Sequence, residues 1–181
     1  QRSNENAQVL LQVMARFEPE GAAYLGVPGL DEEIFDLKPG IIEREKAAME
    51  EATVVLRQRL AAETDAAVRQ DLEILIRSAE QHVKGTDLSL KYEMPYFSLS
   101  RVVFQGFRAL LDDQIPAERR KAALVRLRKY AGVESGYTPI ATLAVDRIRE
   151  RMDPKLLGPV KDEVDKELSN SATYVDGIAK L

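Results

Sequence analysis

His82, in the stretch "SAEQHVKG", is the only histidine of 181 residues, and the chain has no cysteine. A zinc site needs three or four converging ligands. The helical neighbours that would supply them, Ala79, Gly85 and Thr86, carry no suitable group. Glu73 and Glu80 lie two helical turns apart on the same segment, the one arrangement here from which a carboxylate-only acid–base site could be drawn. The other acids, Asp31-Glu32-Glu33 and Asp112-Asp113, are adjacent in sequence rather than spaced by three or four, and read as solvated loop or helix-end groups. The glycines are scattered and form no phosphate loop, and no serine sits in a nucleophile elbow. The residues therefore predict no catalytic side chain, no metal ligand and no cofactor in this chain. Tyr92, Tyr96 and Phe97 gather around Pro95. They are the candidate cleft-lining residues, with anchoring of a loop on the core as the competing reading.

The elements that must position these residues are helical. Hydrophobic residues make up 45%, aromatics 6%, and Trp is absent, a balance that favours helices over a β-sandwich. No stretch alternates apolar and polar residues for long, and no Asn-Gly or Asp-Gly turn occurs. Helical spacing recurs instead: Val9, Val13 and Phe17; then a punctuated turn through Pro19 and Gly21 to Leu25; then a wet loop, "GVPGLDEEIF". Pro39 opens a long helix with a stripe of Ile42, Met49, Leu56 and Leu60. Asp65 caps the next, whose apolar side is Val68, Leu72, Leu75, Ile76, Ala79 and Val83, with Gly85 as its C-terminal cap. His82 then falls in the last turn, at the edge of the stripe. Ser98 caps a helix carrying Val103, Phe107, Leu110 and Leu111. Pro116 starts another, ended by Gly132, with Ala123, Leu124, Leu127 and Tyr130 facing inward. After Thr138-Pro139 come Leu143, Ala144, Ile148 and Met152; after Asp153-Pro154 come Leu157, Val160, Val164 and Leu168; Ser171 begins one more helix. The expectation is an all-α chain of seven or eight helices in successive αα-hairpins, forming one domain or lobe over residues 1–181 with no internal boundary.

A net charge of −4 argues against a nucleic-acid surface. The basic runs Arg119-Arg120-Lys121 and Arg126-Arg128-Lys129 read as a solvated helix face. No apolar run is long enough for a membrane span. The chain opens on Gln1 rather than Met, as expected of a mature secreted protein or a cloned fragment.

Two stretches carry a resemblance. "AAYLGVPGLDEEIFDLKP" resembles the N-terminal region of the bacterial domain-of-unknown-function family 885, which shows a Leu-Gly pair, an acidic loop and Asp-Leu-Ser-Pro opening a long helix. Here these are Leu25-Gly26, Asp31-Glu32 and Asp36-Leu37-Lys38-Pro39, with Lys38 in place of the usual Ser. "MPYFSLSRVVFQGFRALLDDQ", followed by "ALVRLRKYAG", is similar to a branch of the same family. The resemblance implies the N-terminal part of a longer, gluzincin-like zinc peptidase. The family's His-Glu and Glu-Gly-Trp motifs lie C-terminal of the matched region and are absent here, so no catalytic or metal residue carries over. Zinc is expected in a C-terminal part, with this chain as a helical lobe along one side of the substrate cleft. The partner implied is that catalytic region, or a second copy; the substrate class is a peptide; the location is periplasmic or secreted. Two alternatives stand beside this reading: a self-contained helical binding module of the cell envelope, and an enzyme with a carboxylate site at Glu73 and Glu80. A lobe of this kind is expected to expose an apolar patch in its last two helices, around Val160, Val164, Leu168, Val175 and Ile178.

Overall fold

A computed structural model describes residues 1–180. It is all-α, with eight helices: α1 (Arg2–Phe17), α2 (Pro19–Tyr24), α3 (Ile41–Ala62), α4 (Ala66–Tyr92), α5 (Leu99–Leu111), α6 (Lys121–Tyr130), α7 (Ile140–Glu150) and α8 (Lys161–Ile178). A 3-10 turn at Ala117–Arg120 leads into α6. Among the described residues the only sheet-like pairing is one parallel bridge, Glu93 with Leu157.

The first half is a three-helix bundle. Helices α3 and α4 form a long αα-hairpin, and α1 lies against both. Leu56, Val68, Leu72 and Ile76 fill the α3–α4 seam. Val13, Phe17, Ile41, Ala48 and Ala52 fill the α1–α3 seam. The hairpin turn is set by Asp65, whose side chain accepts from the Ala67 and Val68 amides at 2.9 and 3.2 Å. Asp65→Ala is expected to cost roughly 1 kcal/mol, the usual worth of an N-cap, with Asp65→Asn nearly silent; thermal unfolding of the two variants checks this.

The second half packs α5, α6 and α7 around Phe107, Leu110, Ala123, Tyr130, Ile140 and Ala144, with Leu37 inserted from the 25–40 connection. Phe97 joins the two halves by packing on both cores.

Several expectations are corrected. Gly85 does not cap α4, which runs on to Tyr92. A Cβ at Gly85 would meet nothing within 4 Å, so this glycine faces open space. Its cost of about 1 kcal/mol in a helix interior is outweighed by a 27-residue helix packed along α3. The long helix after Pro39 starts at Ile41, because Gly40 takes the left-handed conformation at φ 65° just before it. The Ser98 hydroxyl bonds Glu167 instead of capping α5. Pro139 itself occupies the N-cap position of α7. Ser171 opens no new helix, since nothing between Lys161 and Asp176 breaks α8. Met152 is exposed rather than inward.

The largest correction concerns α6. Leu124 and Leu127, expected inside, are 61% and 47% exposed, while Arg126 is 0% exposed and Lys129 is buried. Of the two basic runs, Arg120, Lys121 and Arg128 are solvated as expected, but Arg126 and Lys129 are not. The reason lies in the 25–40 connection, which folds over α6 and brings carbonyl groups that need donors. Arg126 donates to the carbonyls of Leu30, Glu33 and Gly106 at 2.9, 3.0 and 2.8 Å. Arg119 grips Asp31 through two bonds at 2.7 and 2.8 Å, and Lys129 reaches Glu33 at 3.3 Å. Asp31 is thus no free solvated acid; the Arg119 hydrogen bonds hold its pKa below the ordinary range. Glu32 is exposed, and Asp112 and Asp113 stand at the end of α5 as expected.

Candidate functional site

The segment after α4 turns at Glu93–Phe97 and runs beside the stretch following α7. The Leu157 amide donates to the Tyr92 carbonyl at 2.7 Å, and the Met94 amide to the Leu157 carbonyl at 2.9 Å. Arg151 donates to the Leu90 carbonyl and pairs with Glu43 at 3.1 Å, tying the end of α7 to both α3 and α4. A shallow cleft of about 280 Å³ opens there, lined by Ile42, Leu90, Met94, Tyr96, Phe97 and Arg151 among others. Of the three aromatics singled out from the sequence, Tyr96 and Phe97 line it. Tyr92 does not; it is exposed, with the Lys91 ammonium 4.9 Å from its ring centre. Phe97 also anchors the segment, its ring tilted against Phe35 at 6.2 Å. Phe97 thus both borders the cleft and anchors the segment, whereas Tyr96 only borders it.

A second groove, about 300 Å³, lies between α1, α3 and α4. Its floor is apolar: Leu10, Leu11, Val13 and Met14 from α1, Met49 from α3 and Ala79 from α4. Its edge carries Glu18, Glu45 and His82. Because α4 continues past Gly85, His82 stands well inside the helix and not in its last turn. Its Nε2 lies 3.3 Å from a Glu45 carboxylate oxygen. Glu18 has no ion-pair partner within 4.0 Å among the described residues. Its pKa is raised, first by partial desolvation and then by the repulsion of Glu45, with His82 pulling the other way. The grouping joins residues 18, 45 and 82 on separate segments, which sequence spacing within one helix does not reveal.

Glu73 and Glu80 are not brought together as a site. Glu80 pairs with Arg57 across the hairpin at 2.6 Å, and Glu73 is exposed. Among the described residues no group of three or more His, Asp or Glu side chains is placed to hold a metal ion, and no helix is long and apolar enough to cross a membrane.

A third polar group is wholly internal. Glu20 of α2 accepts from the Tyr130 hydroxyl at 2.5 Å and from the Phe35 amide at 2.9 Å, both at the same oxygen. Burial raises the pKa of Glu20, opposed by the Tyr130 and Phe35 bonds and by the charge of Arg126. Burial, then the adjacent Glu20 carboxylate, pushes the Tyr130 phenol up. Through these two bonds Glu20 clamps α2 to α6 and to the 25–40 connection. Tyr130 was legible as a core residue, but nothing in the spacing marked Glu20 as its partner.

These features define an all-α protein with two shallow surface clefts and a buried polar clamp. The chain matches no family model, no curated protein and no solved structure.

Proposed function

We propose that this chain is the non-catalytic, N-terminal helical lobe of a zinc-dependent peptidase of the cell envelope or secreted fraction, lying along one side of a peptide cleft. The observation that carries the reading is α8. This helix packs chiefly on α5, contains no buried residue, and exposes Leu168 and Val175 at 67% and 64%. Val160 and Leu157, just before the helix, are exposed as well. The outer face of α8 is what an interdomain contact would use. Of the five residues expected in that patch, Val160, Leu168 and Val175 are exposed; Val164 is half-buried, and Ile178 packs on the second core. The Tyr96–Phe97 cleft would face the substrate side in this arrangement.

Expression of the complete reading frame tests the proposal. The long protein should bind zinc near one equivalent and cleave peptides, while residues 1–181 alone do neither, and Leu168→Asp with Val175→Asp should weaken association of 1–181 with the remainder supplied separately. A stop codon after Leu181, or tight zinc binding by 1–181, overturns it. The α1–α3–α4 groove favours a second reading, a self-contained helical binding module, because it offers a concave apolar surface lined by three helices.

A further inference from the structure

We infer that the groove between α1, α3 and α4 is a binding site for a small amphipathic cation, an aliphatic or aralkyl ammonium, whose apolar part lies on the floor and whose charged head meets Glu18 and Glu45. The inference does not depend on the lobe reading. The floor offers aliphatic and thioether contact from Leu10, Leu11, Met14 and Met49. Met14 is adaptable: its terminal methyl lies where a Cβ on Gly21 would be only 2.6 Å away, so the glycine makes room for it. Two carboxylates and one imidazole stand at the edge. Two of the basic side chains on these helices are paired with other acids: Arg44 with Asp36, and Lys46 with Asp87 and Glu50. The edge therefore favours a positive head group, and an apolar tail distinguishes this ligand from a bare metal ion. The volume of about 300 Å³ sits at the small end of ligand sites, which suits a small molecule better than a helix.

The probe is n-hexylammonium, added to the chain at neutral pH and followed by amide NMR shifts, with n-hexanol and hexanoate as neutral and anionic controls of the same tail. Hexylammonium should shift amides in 10–18, 45–49 and 78–82, bind more tightly than hexanol, and leave hexanoate the weakest. Glu18→Gln with Glu45→Gln should weaken hexylammonium about ten-fold, the scale of one charge-assisted contact, and leave hexanol unchanged. His82→Ala, which frees Glu45 from its neighbour, should preserve or tighten it. Equal binding of the three probes, shifts outside these segments, or indifference to the double Gln variant overturns the inference. Glu18 and His82 are exposed and Glu45 is half-buried at the groove edge, outside the buried cores, so the variants are expected to fold.

Discussion

Arg126→Met is expected to destabilise the chain by about 1–3 kcal/mol, the cost of one buried acceptor left without a donor. A buried charge is often replaced by an apolar residue of similar size at little cost, provided its partners are replaced too. Here the partners are backbone carbonyls of Leu30, Glu33 and Gly106, which no side-chain substitution removes. Each acceptor left buried without a donor costs roughly 1–3 kcal/mol. Only the Glu33 carbonyl loses its one donor: the Leu30 carbonyl keeps the Glu33 amide at 3.0 Å, and the Gly106 carbonyl lies inside α5, where the helical backbone ladder serves it. Arg126→Lys should recover only part of the loss, since one ammonium on a flexible stem cannot reach three carbonyls on two segments as the planar guanidinium does. Urea unfolding gives the magnitude. Hydrogen exchange should show faster opening of residues 30–37 in both variants, with the α3–α4 hairpin protected as in the parent. A loss below about 1 kcal/mol for Met, outside the cost of an unsatisfied acceptor, would mean that the connection satisfies itself without Arg126.

What the sequence made legible follows the physics of each half. The α3–α4 hairpin was readable because long apolar stripes and a capping Asp65 all agree on one solution, and local signals that agree are those that specify a fold. Its end was misread because Gly85 is a stop signal only when the following residues lack a surface to pack on. The inward side of α6 was half readable. Ala123 and Tyr130 are buried as expected, but Leu124 and Leu127 are exposed, and Ala122, Arg126 and Lys129 are buried instead. The demand for a donor arises from carbonyls some ninety residues earlier in the chain, and hydrophobic periodicity carries no record of it. For the same reason the aromatics at 96 and 97 could be placed in advance, whereas the meeting of Glu18, Glu45 and His82 could not.

Gly106→Ala should destabilise by about 2–4 kcal/mol, and Tyr130→Phe should reverse the sign or nearly cancel it. Helix interiors ordinarily gain about 0.5–1 kcal/mol when Gly becomes Ala. At this position, however, a Cβ would stand 2.4 Å from the Tyr130 hydroxyl oxygen. The tyrosine has little room to retreat, because its hydroxyl is held by Glu20 at 2.5 Å and its ring is tilted on Phe107 at 6.0 Å. Overpacking of a core commonly costs about 1–3 kcal/mol, and displacing the hydroxyl also removes a hydrogen bond to a buried carboxylate, worth about 1.5–3 kcal/mol. Tyr130→Phe alone loses that bond and leaves Glu20 with the Phe35 amide. It also removes one of the interactions that restrain the raised Glu20 pKa. A carboxyl whose folded pKa is raised opposes folding increasingly as pH climbs from its ordinary 4.5 toward the folded value. The Phe variant should therefore cost less near pH 4.5 than at neutral pH. In the Phe background the nearest remaining ring atom is 3.4 Å and Glu20 Cγ 3.3 Å from the new methyl, contacts that a slight shift relieves. Adding Gly106→Ala there should change stability by no more than about 1 kcal/mol, the ordinary helix-propensity range, in either direction. A double-mutant cycle by urea unfolding measures this coupling. Simple additivity of the two single changes would mean that the hydroxyl is not what keeps position 106 a glycine.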